Sequence, residues 1–281
     1  RPLRDGPGYS VVTLEMTWLE IIKKRAEEFS GTAGLVVHSL ADGERLAHNW
    51  DRVFFSASLI KLGILNTLFL NAARGELSLD EKIKLEEGMA VDGGLLHKMR
   101  PGVSWRLDDL ALLMIALSDN TATNMLIDRL GIEEINRDFK RLGLENTVLG
   151  RKMLDFEAKK AGRDNFTTAA DTACILQTLH SGEELPPGYR ARAMDILSAQ
   201  KLNNKLPGLI PVDDPDDLEQ ILAHKTGELP GIEHDAGIFF FKSKMPVVAV
   251  VLTEGHDRQE AVELCARVGK TVYEAFEQAE R

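Results

Sequence analysis

Cysteine is nearly absent from this chain: 281 residues include only Cys174 and Cys265. There is no C-x-x-C, so neither a thiolate zinc site nor a dithiol redox motif is supported. Each cysteine sits on the apolar stripe of a helical segment, which reads as two buried free thiols rather than a disulfide. Long apolar runs are missing too, and no stretch approaches the roughly 20 residues of a membrane-spanning helix. Positive charge is in deficit, with 34 Lys and Arg against 44 Asp and Glu and a formal net charge of −10. Nucleic acid is thereby excluded as the main partner, because phosphate binding needs a basic face. A small anionic substrate is not excluded, since one lysine in a cleft holds a carboxylate whatever the total charge. The histidines show no H-E-x-x-H and no paired metal spacing, and no Walker or dinucleotide-binding glycine pattern occurs. No metal and no cofactor are expected. Residues 1–10 lack the apolar core of a signal peptide, and the chain does not begin with Met. The residues alone leave export and cytoplasm both open.

What is present is ordinary globular material, 44% hydrophobic and 28% charged. The length suits one large domain or two lobes sharing a core. Apolar residues at helical spacing predict a helix over 14–29, stopped by Ser30 and Gly31. A hairpin follows, with strands over 33–40 and 45–49 and Asp42-Gly43 at the turn. The middle is helical: 58–73, 107–117, 121–130, 131–142, 167–179 and 189–199, with Gly75 and Gly143 as stops. Residues 149–165 between them form a polar, weakly periodic stretch, and a connection that long inside a compact domain is often functional. Strands return over 221–226, 236–242 and 247–253, with Lys242-Ser243-Lys244 turning between the last two, and a helix over 258–279 ends the chain. The implied fold class is α/β (α+β). One antiparallel sheet built from both chain ends (1–52 and 203–281) is flanked by helices, beside an all-α lobe (53–202).

Three short motifs occur in order. Ser58-Leu59-Ile60-Lys61 is S-x-x-K, Ser118-Asp119-Asn120 is S-D-N, and Lys225-Thr226-Gly227 is K-T-G. Each alone is weak: S-x-x-K arises about once by chance in such a chain, and each of the others in roughly one chain in twenty. All three together, each in a sensible place, carry more. Ser58 opens a helix, where free N–H groups and the positive dipole end favour a developing oxyanion. Lys61 lies one turn on, in an apolar run that would desolvate it and lower its pKa into the range of a base. The plainer alternative is a capping serine and a surface lysine. Ser118 sits where it can relay a proton, and the Asn120 amide can accept from Lys61 and donate to a substrate carbonyl. Asp119 reads as a helix cap. Lys225 supplies a cation for a substrate carboxylate and Thr226 a hydroxyl. Gly227 leaves room for a substrate backbone, and the N–H of Glu228 can join that of Ser58 in an oxyanion hole. A strand end with a turn glycine is the alternative there. His224 reads as a strand side chain, and the acidic run 213–217 as a solvated loop.

With these residues in place, the chain resembles a class A β-lactamase-like serine hydrolase, of the penicillin-binding protein and β-lactamase superfamily, along nearly its whole length. The order helix, hairpin, helical lobe, strands, final helix is similar. So is a loop over 149–166 resembling the family's omega loop, with Arg151 and the run 162–168 at its ends. The resemblance implies an acyl-enzyme at Ser58, with Lys61, Ser118 and Lys225 catalytic and Asn120, Thr226, Gly227 and Glu228 binding substrate. It further implies a small-molecule substrate, a β-lactam or an acyl-D-Ala-D-Ala-like peptide or ester, and an exported monomer.

One departure matters. In class A β-lactamases the omega loop supplies a glutamate that activates the deacylating water, followed by Leu-Asn. Aligned from either end, that position falls near Lys152 or Met153, and the only nearby acids are Asp155 and Glu157, which read as loop packing or solvated charge. A β-lactamase is the first expectation. A D,D-peptidase or esterase, or a slowly deacylating penicillin-binding sensor module, are the alternatives.

Overall fold

The protein is described here by a computed structural model of residues 16–40, 43–242 and 244–277. Residues 1–10, Leu14, Asp42, Ser243 and Ala279, which figured in the sequence reading, lie outside them.

Helix α1 (Trp18–Glu28) starts at a capping box, in which the Thr17 hydroxyl accepts from the Glu20 amide and the Glu20 carboxylate accepts from the Thr17 amide. Strands β1 (Thr32–Ser39) and β2 (Arg45–His48) form the hairpin. A two-residue strand β3 (Phe54–Phe55) leads through a 3-10 turn, Ala57–Leu59, into α2 (Ile60–Ala73). Residues 60–72 of α2 are all buried, as expected of a helix apolar on every side. Gly63 lets it approach the next layer, since a Cβ there would lie 2.4 Å from the Phe139 ring.

The segment expected to be purely helical also holds small ribbons. Strands β4 (Lys82–Lys84) and β5 (Ser104–Arg106) pair with each other. Helices α3 (Leu107–Ala116), α4 (Asn120–Leu130) and α5 (Ile132–Arg141) follow, and then a one-turn helix α6 (Phe156–Lys160) inside the polar loop. Strand β6 (Phe166–Thr167) pairs antiparallel with β3. These ribbons were invisible in the pattern because two- and three-residue strands carry no period. Helices α7 (Ala169–Ser181) and α8 (Pro187–Ser198) complete this part.

A single turn, α9 (Leu218–Ile221), precedes β7 (Leu222–Leu229), β8 (Ile232–Phe241), β9 (Lys244–Glu254) and α10 (Arg258–Glu277). The sheet order is β2-β1-β9-β8-β7, antiparallel throughout, so both chain ends build one sheet. Its side chains alternate between two cores. Leu35, Val37, Val247, Ala249 and Val251 pack with Ile22, Leu264 and Val268 under α1 and α10. Val36, Val248, Val250 and Leu252 join the larger core around α2. The edge strand β7 carries Lys225-Thr226-Gly227 and faces the start of α2: a Cβ on Gly227 would touch Ala57 and Leu59 at 3.3 and 3.4 Å.

Candidate active site

The first turn after β3 places Ser58 half-buried at the mouth of a hollow of about 140 Å³. Ala57 before it adopts φ +46, a left-handed conformation that a residue with a Cβ enters only under constraint from its surroundings. Lys61, one turn on, is completely buried. Its Nζ donates to the Ser118 carbonyl at 2.7 Å, the Ser118 Oγ at 3.0 Å and Asn120 Oδ1 at 2.9 Å. Ser118 Oγ lies 2.9 Å from Ser58 Oγ. Three residues separated by 60 positions of chain thus form one hydrogen-bonded line ending at a hydroxyl on the cleft.

Ser118 is also left-handed, at φ +52, held between α3 and the cap of α4. Asp119 is that cap: Oδ1 accepts from the Ala122 amide, and Oδ2 accepts from the amides of Leu95 and Leu96. Its carboxylate therefore ties α4 to the loop that forms the neighbouring wall. Asn120 Nδ2 donates to the Asp92 carbonyl at 2.8 Å. Glycine is required on this wall at Gly94, where a Cβ would lie 2.4 Å from the Asp119 carboxylate, and φ is +86. The sequence reading missed this loop; Gly93-Gly94 was its one signal.

Electrostatics set the protonation. Burial, then the nearby Lys225 cation, push the Lys61 amine well below the ordinary lysine range, against a smaller opposing pull from Asp119. Lys225 is itself fully buried, and desolvation brings it down to about 7, with Lys205 adding to the fall and Asp235 and Glu228 opposing it. Its Nζ donates to the Thr226 carbonyl at 2.8 Å, and among the described residues no hydrogen bond joins it to Ser118. Thr226 is buried. A Cβ on Gly227 would meet Ala57 and His234 at 3.3 Å and Leu59 at 3.4 Å, so the missing side chain lets these residues pack close to the strand. Glu228 borders the cleft, and its exposed side chain reaches Lys205 Nζ at 2.5 Å.

His234, also missed, braces the end of β3 that leads to Ser58. Its Nε2–H donates to the Phe55 carbonyl at 3.0 Å and its Nδ1 accepts from the Thr253 amide at 3.0 Å, which fixes a neutral tautomer. Burial depresses its pKa to about 4.

Comparison with known proteins decides the family. The model of the β-lactamase enzyme family matches residues 19–276. The chain belongs to the β-lactamase enzyme family. The β-lactamase of Streptomyces lavendulae is 27% identical, over 96% of this chain and 89% of that protein. That of Rhodobacter capsulatus is 28% identical over 62% of this chain, spanning 60% of that protein. Among solved structures, PBP-A superposes with a TM-score of 0.81 at 32% identity, covering 93% of this chain and 96% of that one. An ancestral class A β-lactamase does so with 0.81 at 27%, covering 92% and 100%. The fold is the class A one.

The polar loop borders the same cleft. Arg151 donates through Nε to Asp164 Oδ1 at 2.8 Å, and both side chains are about 10% exposed. Asn165 Oδ1 accepts from the amides of Gly150 and Arg151, and the Asn165 carbonyl accepts from the Ser56 amide at 2.9 Å. The loop is therefore pinned at both ends beside Ser58. Between them Met153 lines the cleft, its amide donating to Asn124 Oδ1 at 2.8 Å and its carbonyl accepting from Asn124 Nδ2 at 3.1 Å. Leu154 follows at φ +60. Asp155 caps α6 through the Ala158 amide, and Glu157, largely exposed, pairs with Lys160 at 2.7 Å. Neither acid lines the cleft. Among the described residues no group of three or more His, Cys, Asp or Glu is placed to hold a metal ion, and no helix is long and apolar enough to cross a membrane.

Proposed function

We propose that this chain opens β-lactams by forming an acyl-enzyme at Ser58 and then hydrolyses that ester, as class A β-lactamases do. The observation that carries the proposal is the line from Lys61 through Ser118 to Ser58. A neutral Lys61 amine has two hydrogens, which the Ser118 carbonyl and Asn120 Oδ1 accept, leaving its lone pair toward Ser118 Oγ. Hydroxyl hydrogens rotate, so the line runs in reverse: Ser58 gives its proton to Ser118 as it attacks the lactam carbonyl, and Ser118 gives its own to Lys61. Ser118 then gives a proton to the leaving nitrogen and is reprotonated by the Lys61 ammonium, which returns to the neutral amine. The N–H groups of Ser58 and Glu228 hold the oxyanion, Asn120 orients the substrate amide, and Lys225 with Thr226 takes an anionic group. Gly227 contributes by close packing. Both walls come from one chain, which supports action as a monomer with its cleft between a lobe of 1–52 and 203–281 and a lobe of 53–202.

Turnover of a chromogenic cephalosporin by wild type and Ser58→Ala tests this. Loss of hydrolysis on the order of 10⁴-fold or more is expected; equal rates would end the proposal.

Met153 favours a second reading of the later step. With the position of the family's deacylating acid falling near Lys152 or Met153, of which Met153 lines the hollow, acylation is well equipped and water activation is not. A mutant of PBP-A, similar over most of this chain, is known as an acyl-enzyme complex with penicillin G. A D,D-peptidase or esterase, or a module that stays acylated, fits such a site. Intact mass after penicillin exposure separates the two: a lasting adduct on Ser58 supports slow release, and a transient one supports the β-lactamase.

A further inference from the structure

β7 and β8 bring an unusual set of charges to one face. Their register puts Thr226 opposite Asp235 and Glu228 opposite Glu233, and residues two apart share a face, so all four point the same way. Two glutamates directly opposite repel unless a cation sits between them. Lys205, from the segment after α8, is that cation. Its side chain is 0% exposed, and its Nζ lies 2.5 Å from Glu228 Oε1 and 3.0 Å from Glu233 Oε2. Arg258 at the start of α10 reaches Glu233 at 2.6 Å and Glu228 at 3.7 Å. Asp235 is bonded to the Leu206 amide and to His224 Nδ1.

The consequence falls on the cleft. Among these carboxylates only Glu228 borders the hollow beside Ser58, one strand period beyond Thr226. Its carboxylate already occupies Lys205, and it seals that ammonium from anything entering. A substrate group reaching β7 from the hollow therefore passes the Glu228 carboxylate, with Thr226 and Lys225 buried along the same strand.

We infer that Glu228 is a specificity-determining residue, setting its own carboxylate at the rim of the hollow and selecting acyl donors whose group beside it is uncharged or cationic. This rests on the acyl-transfer reading and names the substrate class within it. Glu228 acts here through its side-chain charge, separately from its backbone N–H. Simple esters and amides without a neighbouring carboxylate fit such a face; penicillins and peptides ending in a free carboxylate are admitted against its repulsion.

The test measures second-order rate constants for acylation by benzylpenicillin and by its uncharged methyl ester, followed by intact mass, for wild type, Glu228→Gln and Glu228→Asp. The expected result is a rise of about tenfold in the anionic-to-uncharged ratio for Gln, the size of one screened charge at close range. For Asp, which keeps the charge, the ratio stays within about twofold of wild type. An unchanged ratio in Gln, or equal shifts in Gln and Asp, overturns the inference while leaving Ser58 acylation standing. Absence of a Ser58 adduct with both compounds in all three proteins overturns the acyl-transfer reading, and this inference with it.

Discussion

On one side of the cleft the buried Lys61, a left-handed Ser118 and Ser58 are joined by hydrogen bonds of 3.0 and 2.9 Å. On the other side, an equally well-pinned loop presents Met153, whose backbone is fastened by Asn124 and whose side chain has no proton to give or take. Both regions are ordered by the same devices: left-handed residues at Ala57, Ser118 and Leu154, and side-chain amides or carboxylates clamping backbone groups. Rigid construction is therefore no measure of chemical equipment. The first region joins an amine and two hydroxyls, whereas the second presents Met153, which carries no ionisable group, beside Arg151 and Asp164, which are paired with each other.

That contrast can be broken most sharply on the acylating side. Lys61→Ala and Ser118→Ala should each slow acylation about 10²–10⁴-fold while Kd for the lactam moves only a few-fold, because both act on a proton in flight. Single-turnover mass spectrometry checks this, and acylation at the wild-type rate in either variant would dissolve the proposed relay. On the loop side, Met153→Glu should speed deacylation about tenfold or more and change acylation much less, since it adds a base where the amide clamp of Asn124 already fixes the backbone. Adduct lifetime reads it out; an unchanged lifetime places the water elsewhere.

A smaller effect comes from pH. Burial lowers Lys225 to about 7, so it is a cation below that value and loses its charge as pH rises through it. KM for an anionic lactam should rise several-fold between about pH 6 and pH 8.5, and KM for an uncharged ester should stay flatter; parallel profiles would remove Lys225 from substrate binding. The smallest effect is expected at Glu157→Gln, within about twofold in both acylation and deacylation, because an exposed ion pair such as Glu157–Lys160 contributes little. A selective loss of deacylation there would bring the loop back as a source of the base.

Much of this was legible in the chain. Ser58 and Lys61 lie one helical turn apart, and that spacing alone puts them on one face. Lysine within Leu59-Ile60-Lys61-Leu62 already signalled burial, and Asp119 announced a cap. The sheet strands showed themselves by length and apolar content, whereas β3 to β6 were too short to have a period. The glycine of Lys225-Thr226-Gly227 was legible as a close approach, and the structure adds Ala57, His234 and Leu59 around it.

The sequence by itself determined the helical middle, the strand that carries Lys225 and the lack of a Glu-x-x-Leu-Asn in the loop, because these depend on neighbours within a few residues. Only the tertiary structure decided that Ser118 reaches Ser58, that Asn124 clamps Met153, that His234 braces Phe55 and that Lys205 is taken by Glu228. Each of these joins residues roughly 20 to 180 positions apart. Such contacts leave no local period to read: folding fixes them by packing two cores against one sheet, and the charges then settle where burial leaves them a partner.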